Sequence, residues 1–308
     1  MPDESSLNLG NDRLLPSALA FFDMFRMPLT AMEAWRWRYC RSGSPVSVVN
    51  VRECLGDRCG TESGTYRLTD GKADIRLRQR RYRLAESKFR RAGRFASFAR
   101  LLPTVRLVAV GNSLSWSNSD QDGDIDVFVV AAPGTVWLTR FVLGGALIVL
   151  GLRPTPKDRQ DRICLSFLVS QSHLDLSGLQ IRGDDVYLAY WLAGLVPIYD
   201  CGGVAESLWM ANWRILSVLP NAGGPRCLAR RRRVGRPFGY RFGQALVPAF
   251  RFLEPVACRL QEWRFPKSIR EMANRDSRVV IRSDVLKFHV NDRRQEFSRN
   301  FFGRLFSL

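Results

Sequence analysis

Residues 110–130 of this 308-residue chain are VGNSLSWSNSDQDGDIDVFVV. A Gly-Asn-Ser turn follows the apolar run that ends at Val110, and Asp124 and Asp126 stand at the start of a second apolar run. Successive side chains of a strand point to opposite faces, so two aspartates two residues apart project from the same face. Hard divalent cations prefer oxygen ligands. The pattern therefore predicts a strand that presents a carboxylate pair to a metal ion.

The turn before the aspartates has the features of a phosphate-binding loop. Gly111, Asn112 and Ser113 offer backbone N–H groups and a hydroxyl, which are the donors that cradle a triphosphate. A phosphate-binding turn and a carboxylate pair for one or two Mg²⁺ ions are the parts that metal-assisted phosphoryl transfer requires. We therefore expect an NTP as substrate.

These residues resemble the signature of the DNA polymerase β-type nucleotidyltransferase superfamily. The chain is more closely similar to uncharacterised prokaryotic nucleotidyltransferase-domain proteins with an N-terminal winged-helix-like segment. Similar landmarks occur at residues 21–30, 136–140, 163–166, 196–199, 212–213 and 220–221, and more weakly at 288–293. The resemblance implies transfer of a nucleoside monophosphate from an NTP to a hydroxyl of an unknown acceptor. It also implies that Asp124 and Asp126 hold Mg²⁺ and that Ser113 contacts the nucleotide phosphate.

The chain departs from the superfamily pattern in its turn and in its third acid. Asn112 stands where glycine usually precedes the serine, and asparagine is one of the few other residues that tolerate positive φ. The superfamily usually carries a third carboxylate on a later strand, whereas the predicted strand over 163–169 has none. Asp161 precedes that strand and Asp175 follows it. The alternative therefore stays open that this is a catalytically degenerate nucleotidyltransferase fold acting as a nucleic-acid-binding or regulatory module.

The order of patterns along the chain predicts an α+β fold with a mixed sheet. Thr30 and Glu33 have capping-box spacing, residues 46–54 form a third helix or a strand, and residues 65–71 have strand-and-turn character. Helices, a third element and a hairpin are the element order of a winged helix. The predicted regions are a winged-helix-like module over 14–77, a basic linker helix over 78–104, a nucleotidyltransferase α/β domain over 105–221 and a basic helical C-terminal region over 222–308.

The charge of the chain favours anionic partners. Forty-seven lysines and arginines face 29 acidic residues, which gives a formal net charge of +18. The surplus is concentrated at residues 76–100 and 226–241, on either side of the predicted transferase domain. These segments are either solvated helix and loop surfaces or a channel for a polyanionic acceptor such as RNA or DNA.

Cysteine usage and hydropathy bear on the compartment. The seven cysteines are scattered without metal-ligand spacing, which favours a reducing cytoplasmic location. The uncharged segment 141–152 is shorter than the roughly 20 residues of a membrane-spanning helix. It predicts a buried helix and favours a protein without a membrane partner, while membrane association through this segment is the alternative. The sequence leaves the oligomeric state open.

Overall fold

The structure, a computed structural model, describes residues 16–42, 44–155, 157–226 and 233–307. It begins with three helices and a hairpin: α1 (Ser17–Asp23), α2 (Ala31–Arg36), α3 (Val48–Arg58), β1 (Gly60–Glu62) and β2 (Thr65–Arg67). The predicted capping box of α2 is confirmed, because the Thr30 hydroxyl accepts from the Glu33 N–H and the Glu33 carboxylate accepts from the Thr30 N–H. The segment that could be helix or strand is helix α3.

A 25-residue helix, α4 (Ile75–Ala99), connects this N-terminal part to the sheet. The Asp74 side chain accepts hydrogen bonds from the first free N–H groups of the helix, at Arg76 and Leu77. Small and aromatic residues cover one side of α4 and are buried, among them Ala85, Phe89 and Ala92. The opposite side carries most of the arginines of the basic segment, so α4 is amphipathic and packs by its apolar side.

In the described residues the main sheet has six strands: β3 (Val105–Val110), β4 (Ile125–Ala131), β5 (Ile163–Ser170), β6 (Val196–Asp200), β7 (Val279–Ile281) and β8 (Val285–Phe288). Their order is β6-β3-β4-β5-β8-β7. Strands β4 and β5 are parallel and are joined through helix α6 (Val136–Val149), whereas all other pairs are antiparallel. The predicted α+β class with a mixed sheet is confirmed. The C-terminal region, predicted as helical, also supplies strands β7 and β8 and so completes one edge of the sheet.

The remaining helices cover the sheet and close the core. They are α5 (Asn112–Ser115), α7 (Val186–Gly194), α8 (Val204–Ala211), α9 (Trp213–Leu216), α10 (Tyr240–Ala245), α11 (Val247–Phe250), α12 (Glu254–Arg264), α13 (Lys267–Met272) and α14 (Arg294–Phe306). Phe21 of α1 stacks on Tyr190 of α7 with ring centroids 3.6 Å apart, and Phe301 of α14 closes the same aromatic cluster. Helices α1 and α14 therefore both pack against α7, which lies beside the candidate site.

Helix α6 forms and buries Val136, Leu143 and Leu147, but Phe141 and residues 148–150 are exposed. The prediction that residues 141–152 form a buried helix is therefore wrong for the C-terminal part of the segment, where the helix ends at the protein surface. Among the described residues no helix combines the length and the apolar character needed to cross a membrane. Part of the basic segment at 226–241, namely residues 227–232, lies outside the described residues.

Candidate functional site

The two predicted carboxylates lie together at one end of the sheet. Asp124 directly precedes β4, Asp126 is its second residue, and both line a cleft of about 390 Å³. A carboxylate oxygen of each lies within 4.8 Å of the other and of the Cys164 thiol sulfur. The structure therefore agrees with the prediction that the two aspartates project from one face of the strand.

Asn112 fixes the position of one of these carboxylates. Its φ of +53° shows that Asn112 adopts the left-handed conformation that asparagine was expected to tolerate at this turn. The Asn112 side-chain amide donates to Asp126 Oδ2 at 2.7 Å, and the Tyr187 hydroxyl donates to Asn112 Oδ1 at 3.2 Å. Because the tyrosine occupies the amide oxygen, the amide nitrogen is directed at the carboxylate.

The other two residues of the turn, Gly111 and Ser113, make contacts within the fold. A Cβ added to Gly111 would lie 2.8 Å from Nε1 of Trp191, so the glycine allows α7 to approach the turn closely. Ser113 lies in the short helix α5, and its carbonyl accepts from the Asn118 N–H. A role of Ser113 and the turn in phosphate binding stays a prediction.

Cys164 occupies the strand position next to Asp126. The two residues are paired in the parallel β4–β5 ladder, so their side chains leave the same face of the sheet. The register then shifts, because Phe128 pairs with Phe167, and this irregularity adds one residue to β5 beside the site. Cys164 and Ser166 both line the cleft. The structure thus brings a thiol to the aspartates at this strand position, where sequence analysis found no acid.

Neither acid that sequence analysis considered as a third ligand is placed with the pair. Asp161 binds helix α4, with oxygens 3.5 Å from Lys88 Nζ and 3.2 Å from Arg91 Nη2. Asp175 is exposed and caps a turn by accepting from the Ser177 N–H. In the described part of the chain, the grouped metal-ligand atoms belong to Asp124, Asp126 and Cys164.

Burial and neighbouring charges raise the pKa values of Asp126 and Cys164. Burial raises the pKa of the Asp126 carboxyl above its usual range, and the neighbouring Asp124 carboxylate raises it further, while the Asn112 hydrogen bond opposes the shift. Burial also raises the pKa of the Cys164 thiol, and the Asp126 carboxylate adds to that effect. The site therefore concentrates negative charge that a bound cation would neutralise.

An arginine already partly neutralises the pair. Arg159, in the loop before β5, places Nη2 2.8 Å from Asp124 Oδ2. Its side chain is 62% exposed, whereas that of Asp124 is 11% exposed, so the guanidinium sits at the rim of the cleft. No sequence motif marks Arg159, because it lies in a loop about 35 residues after Asp124.

The C-terminal segment forms the opposite wall of the cleft. Lys287 and Arg294 both pair with the buried Asp292, at 3.2 and 2.8 Å, and Arg294 also reaches Asp185 at the start of α7, at 2.6 Å. His289 Nε2 lies 3.2 Å from the Ser166 hydroxyl, and burial lowers the pKa of this histidine to about 3, so its ring is neutral at physiological pH. The weak similarity at residues 288–293 was the sequence signal for this wall.

Comparisons with known proteins place the chain in no family. No family profile, no curated protein and no solved structure matches it.

Proposed function

We propose that this protein is a Mg²⁺-dependent nucleotidyltransferase, which moves a nucleoside monophosphate from an NTP to a hydroxyl of an acceptor. The observation that carries the proposal is the convergence of Asp124 and Asp126 with Asn112 in one cleft. The resemblance of residues 110–130 to the polymerase β-type signature supports the same conclusion. Catalysis would consist mainly of positioning and charge neutralisation in an in-line displacement.

The donor set fits a hard cation through its carboxylates. Asp124 and Asp126 would hold Mg²⁺, as the pair of ions usual for such transfers. When bound, Mg²⁺ supplies charge neutralisation to the phosphates. The Cys164 sulfur does not fit this preference, since thiolates favour softer metals. Asn112 and Tyr187 orient Asp126, and Gly111, Asn112 and Ser113 would face the phosphates.

Arg159 would change partner when the site fills. A cation at Asp124 competes with the guanidinium for the same carboxylate oxygen. The exposed Arg159 side chain is long enough to turn instead towards the nucleotide phosphates, and a planar guanidinium binds phosphate oxygens in a bidentate manner. Arg159 would thus act as the residue that links cation binding to nucleotide binding.

The N-terminal elements support a winged-helix-like module. Three helices precede a two-stranded hairpin, and Ser63 and Gly64 connect its strands with φ of +50° and +72°. A two-residue connection with both φ values positive is the favoured hairpin turn. We assign residues 14–77 to this module, 105–221 to the transferase domain and 222–308 to the C-terminal region.

The outer side of α4 supports a polyanionic acceptor such as RNA or DNA. Five exposed arginines lie on one side of the helix over about 27 Å, at positions 76, 80, 83, 90 and 94. The helix also contacts the loop that ends at Asp124, because the Lys88 ammonium donates to the carbonyl of Gly123. Arg90 and Arg94 line a groove of about 800 Å³ together with Arg233. Lys88 lies on the buried side of α4, so an acceptor strand held by these arginines would run along the outer side of the helix, whose inner side packs against the loop that ends at Asp124.

A second candidate function is that of a nucleic-acid-binding or regulatory protein with a degenerate transferase site. Two observations favour it: a thiol lies next to Asp126, and an ion pair with Arg159 already satisfies Asp124. In this case the arginines of α4 would still bind nucleic acid, but no nucleotide would be transferred.

Labelled NTPs separate the two candidates. The wild-type protein with Mg²⁺ and a mixture of RNA, DNA and protein acceptors should transfer label, and Asp124→Asn with Asp126→Asn should reduce the transfer at least a hundredfold. Asp122→Asn is the matched control, since Asp122 is an exposed acid of the same loop. Transfer that is equal in the double variant would contradict the assignment, whereas salt-sensitive nucleic-acid binding without transfer would favour the second candidate.

A further inference from the structure

The side of helix α12 that faces away from the protein is apolar. The helix packs against α6 through a narrow strip, in which Ala257 and Gln261 are buried and the Gln261 amide donates to the Trp137 carbonyl at 2.8 Å. Its solvent-exposed side carries Val256, Leu260 and Trp263, and the exposed Leu253 directly precedes the helix. Their spacing of three, four and three residues places them in one stripe along the helix.

Several large aromatic side chains close to the stripe in sequence are also exposed. Trp263 is 80% exposed and Phe252, at the start of the stripe, is 84% exposed. Phe238 and Phe242, in and just before α10, are also largely exposed. Scattered apolar side chains on a surface are ordinary, but a continuous apolar stripe with large aromatic residues indicates an interaction surface.

The same segment is strongly basic. Residues 233–270 contain eight arginines and lysines but two acids. One of those acids, Glu254, is engaged inside the protein, because its two carboxylate oxygens accept from the Trp137 and Leu138 N–H groups at 2.8 Å each. Arg259 and Arg264 are exposed on the two sides of the apolar stripe. The surface therefore combines an apolar centre with positive flanks.

We propose that the outer side of α12, together with Phe252, binds the surface of an anionic lipid bilayer. An apolar helix face with tryptophan, phenylalanine and leucine and with arginines beside it matches the interface between acyl chains and anionic headgroups. A second copy of this chain fits poorly, since the two positive surfaces would repel each other. A nucleic-acid strand also fits poorly, because Leu253, Val256 and Leu260 cannot stack on bases.

This contact is peripheral and does not depend on the metal site. The helix would lie in the plane of the membrane, with α6 on its protein side. Residues 141–152, which the sequence singled out for a membrane contact, belong largely to α6, on which α12 packs; Phe141 and residues 148–150 of that segment are themselves exposed.

Vesicle co-sedimentation of the full chain tests the proposal. The protein should sediment with vesicles of phosphatidylcholine and phosphatidylglycerol, should bind neutral phosphatidylcholine vesicles at least tenfold more weakly, and should lose binding as salt rises. Leu260→Glu with Trp263→Glu should weaken binding to the anionic vesicles at least tenfold. The control is Trp213→Glu, which changes an exposed tryptophan of α9 in the same way. Because these side chains are exposed, the thermal unfolding midpoint of each variant should equal that of the wild type. Leu260→Ser with Trp263→Ser is a second double variant, which removes the apolar side chains without adding charge and should also weaken binding.

Three results would overturn the proposal. The first is absence of binding to anionic vesicles at low salt, or binding that both double variants retain. The second is a wild-type dimer in sedimentation velocity that both double variants lose, which would assign the surface to a second copy. The third is single-stranded RNA binding that depends on Leu260 and Trp263, in the absence of vesicle binding.

Discussion

Cys164 pairs with Asp126 in the parallel β4–β5 ladder, and its sulfur lies within 4.8 Å of a carboxylate oxygen of Asp126. This pair determines what the cleft can bind, because the thiol stands next to the carboxylates where a transferase would use a third acid. A thiol is a weak ligand for Mg²⁺ and a poor acceptor for the proton of an attacking hydroxyl.

Replacement of Cys164 by aspartate should add a third carboxylate ligand for Mg²⁺ beside Asp124 and Asp126. Cys164→Asp should lower the metal-free stability, since a third carboxylate would be buried beside two others. Mg²⁺ should restore that stability, and nucleotidyl transfer should rise at least tenfold above wild type. Thermal unfolding with and without Mg²⁺, together with labelled-NTP transfer, measures both effects. Cys164→Ser is the control, and equal Mg²⁺ responses of the two variants would contradict the assignment.

The raised pKa of Asp126 predicts a pH-dependent stability in the absence of metal. The folded protein holds a proton on Asp126 more tightly than the unfolded chain does, so the free energy of unfolding falls as pH rises from the ordinary aspartate range through the raised pKa. Asp126→Asn should remove this loss and stabilise the metal-free protein by about 2 kcal/mol at pH 8, with little effect near pH 4. Urea unfolding across this pH range measures it, and Asp122→Asn should behave as wild type.

Tyr187 should act as a positioning residue for Asn112. Tyr187→Phe keeps the ring that stacks on Phe297 but removes the hydroxyl that donates to Asn112 Oδ1. Loss of one such hydrogen bond, about 1 kcal/mol, should weaken Mg²⁺–nucleotide binding about fivefold in calorimetry. Tyr190→Phe is the matched control on the same helix, because its hydroxyl donates to the Trp37 carbonyl in the core. That variant should lose stability and keep its nucleotide affinity; an equal affinity loss in both variants would indicate a general effect of α7.

The arginine side of α4 should bind nucleic acid in a salt-dependent manner. Arg83→Glu with Arg90→Glu should weaken RNA or DNA binding at least tenfold and should lower the slope of log affinity against log salt by about two. Arg275→Glu with Arg299→Glu makes the same change of net charge at exposed positions away from α4. If both pairs weaken binding equally, total charge rather than the α4 surface is responsible. Fluorescence anisotropy with labelled single- and double-stranded probes measures the affinities.

Local patterns in the sequence predicted most of the elements near the site. The aspartate pair at the start of β4, the positive φ of Asn112 and the capping box of α2 each depend on residues within a few positions of one another. Such features follow from strand periodicity, from the steric freedom of asparagine and from the hydrogen bonds at a helix start. The same reasoning identified the absence of an acid in β5.

Tertiary structure alone decided what surrounds the aspartates. The pairing of β5 with β4 brings Cys164 and Ser166 into the cleft, and the pairing of β8 with β5 brings His289 and Lys287 there from more than 120 residues away. Strand order and register depend on how the sheet buries its faces as a whole, and a single sequence carries no local signal for either. The sequence thus determined the carboxylate pair and its turn, while long-range strand pairing determined the thiol and the basic wall that face it.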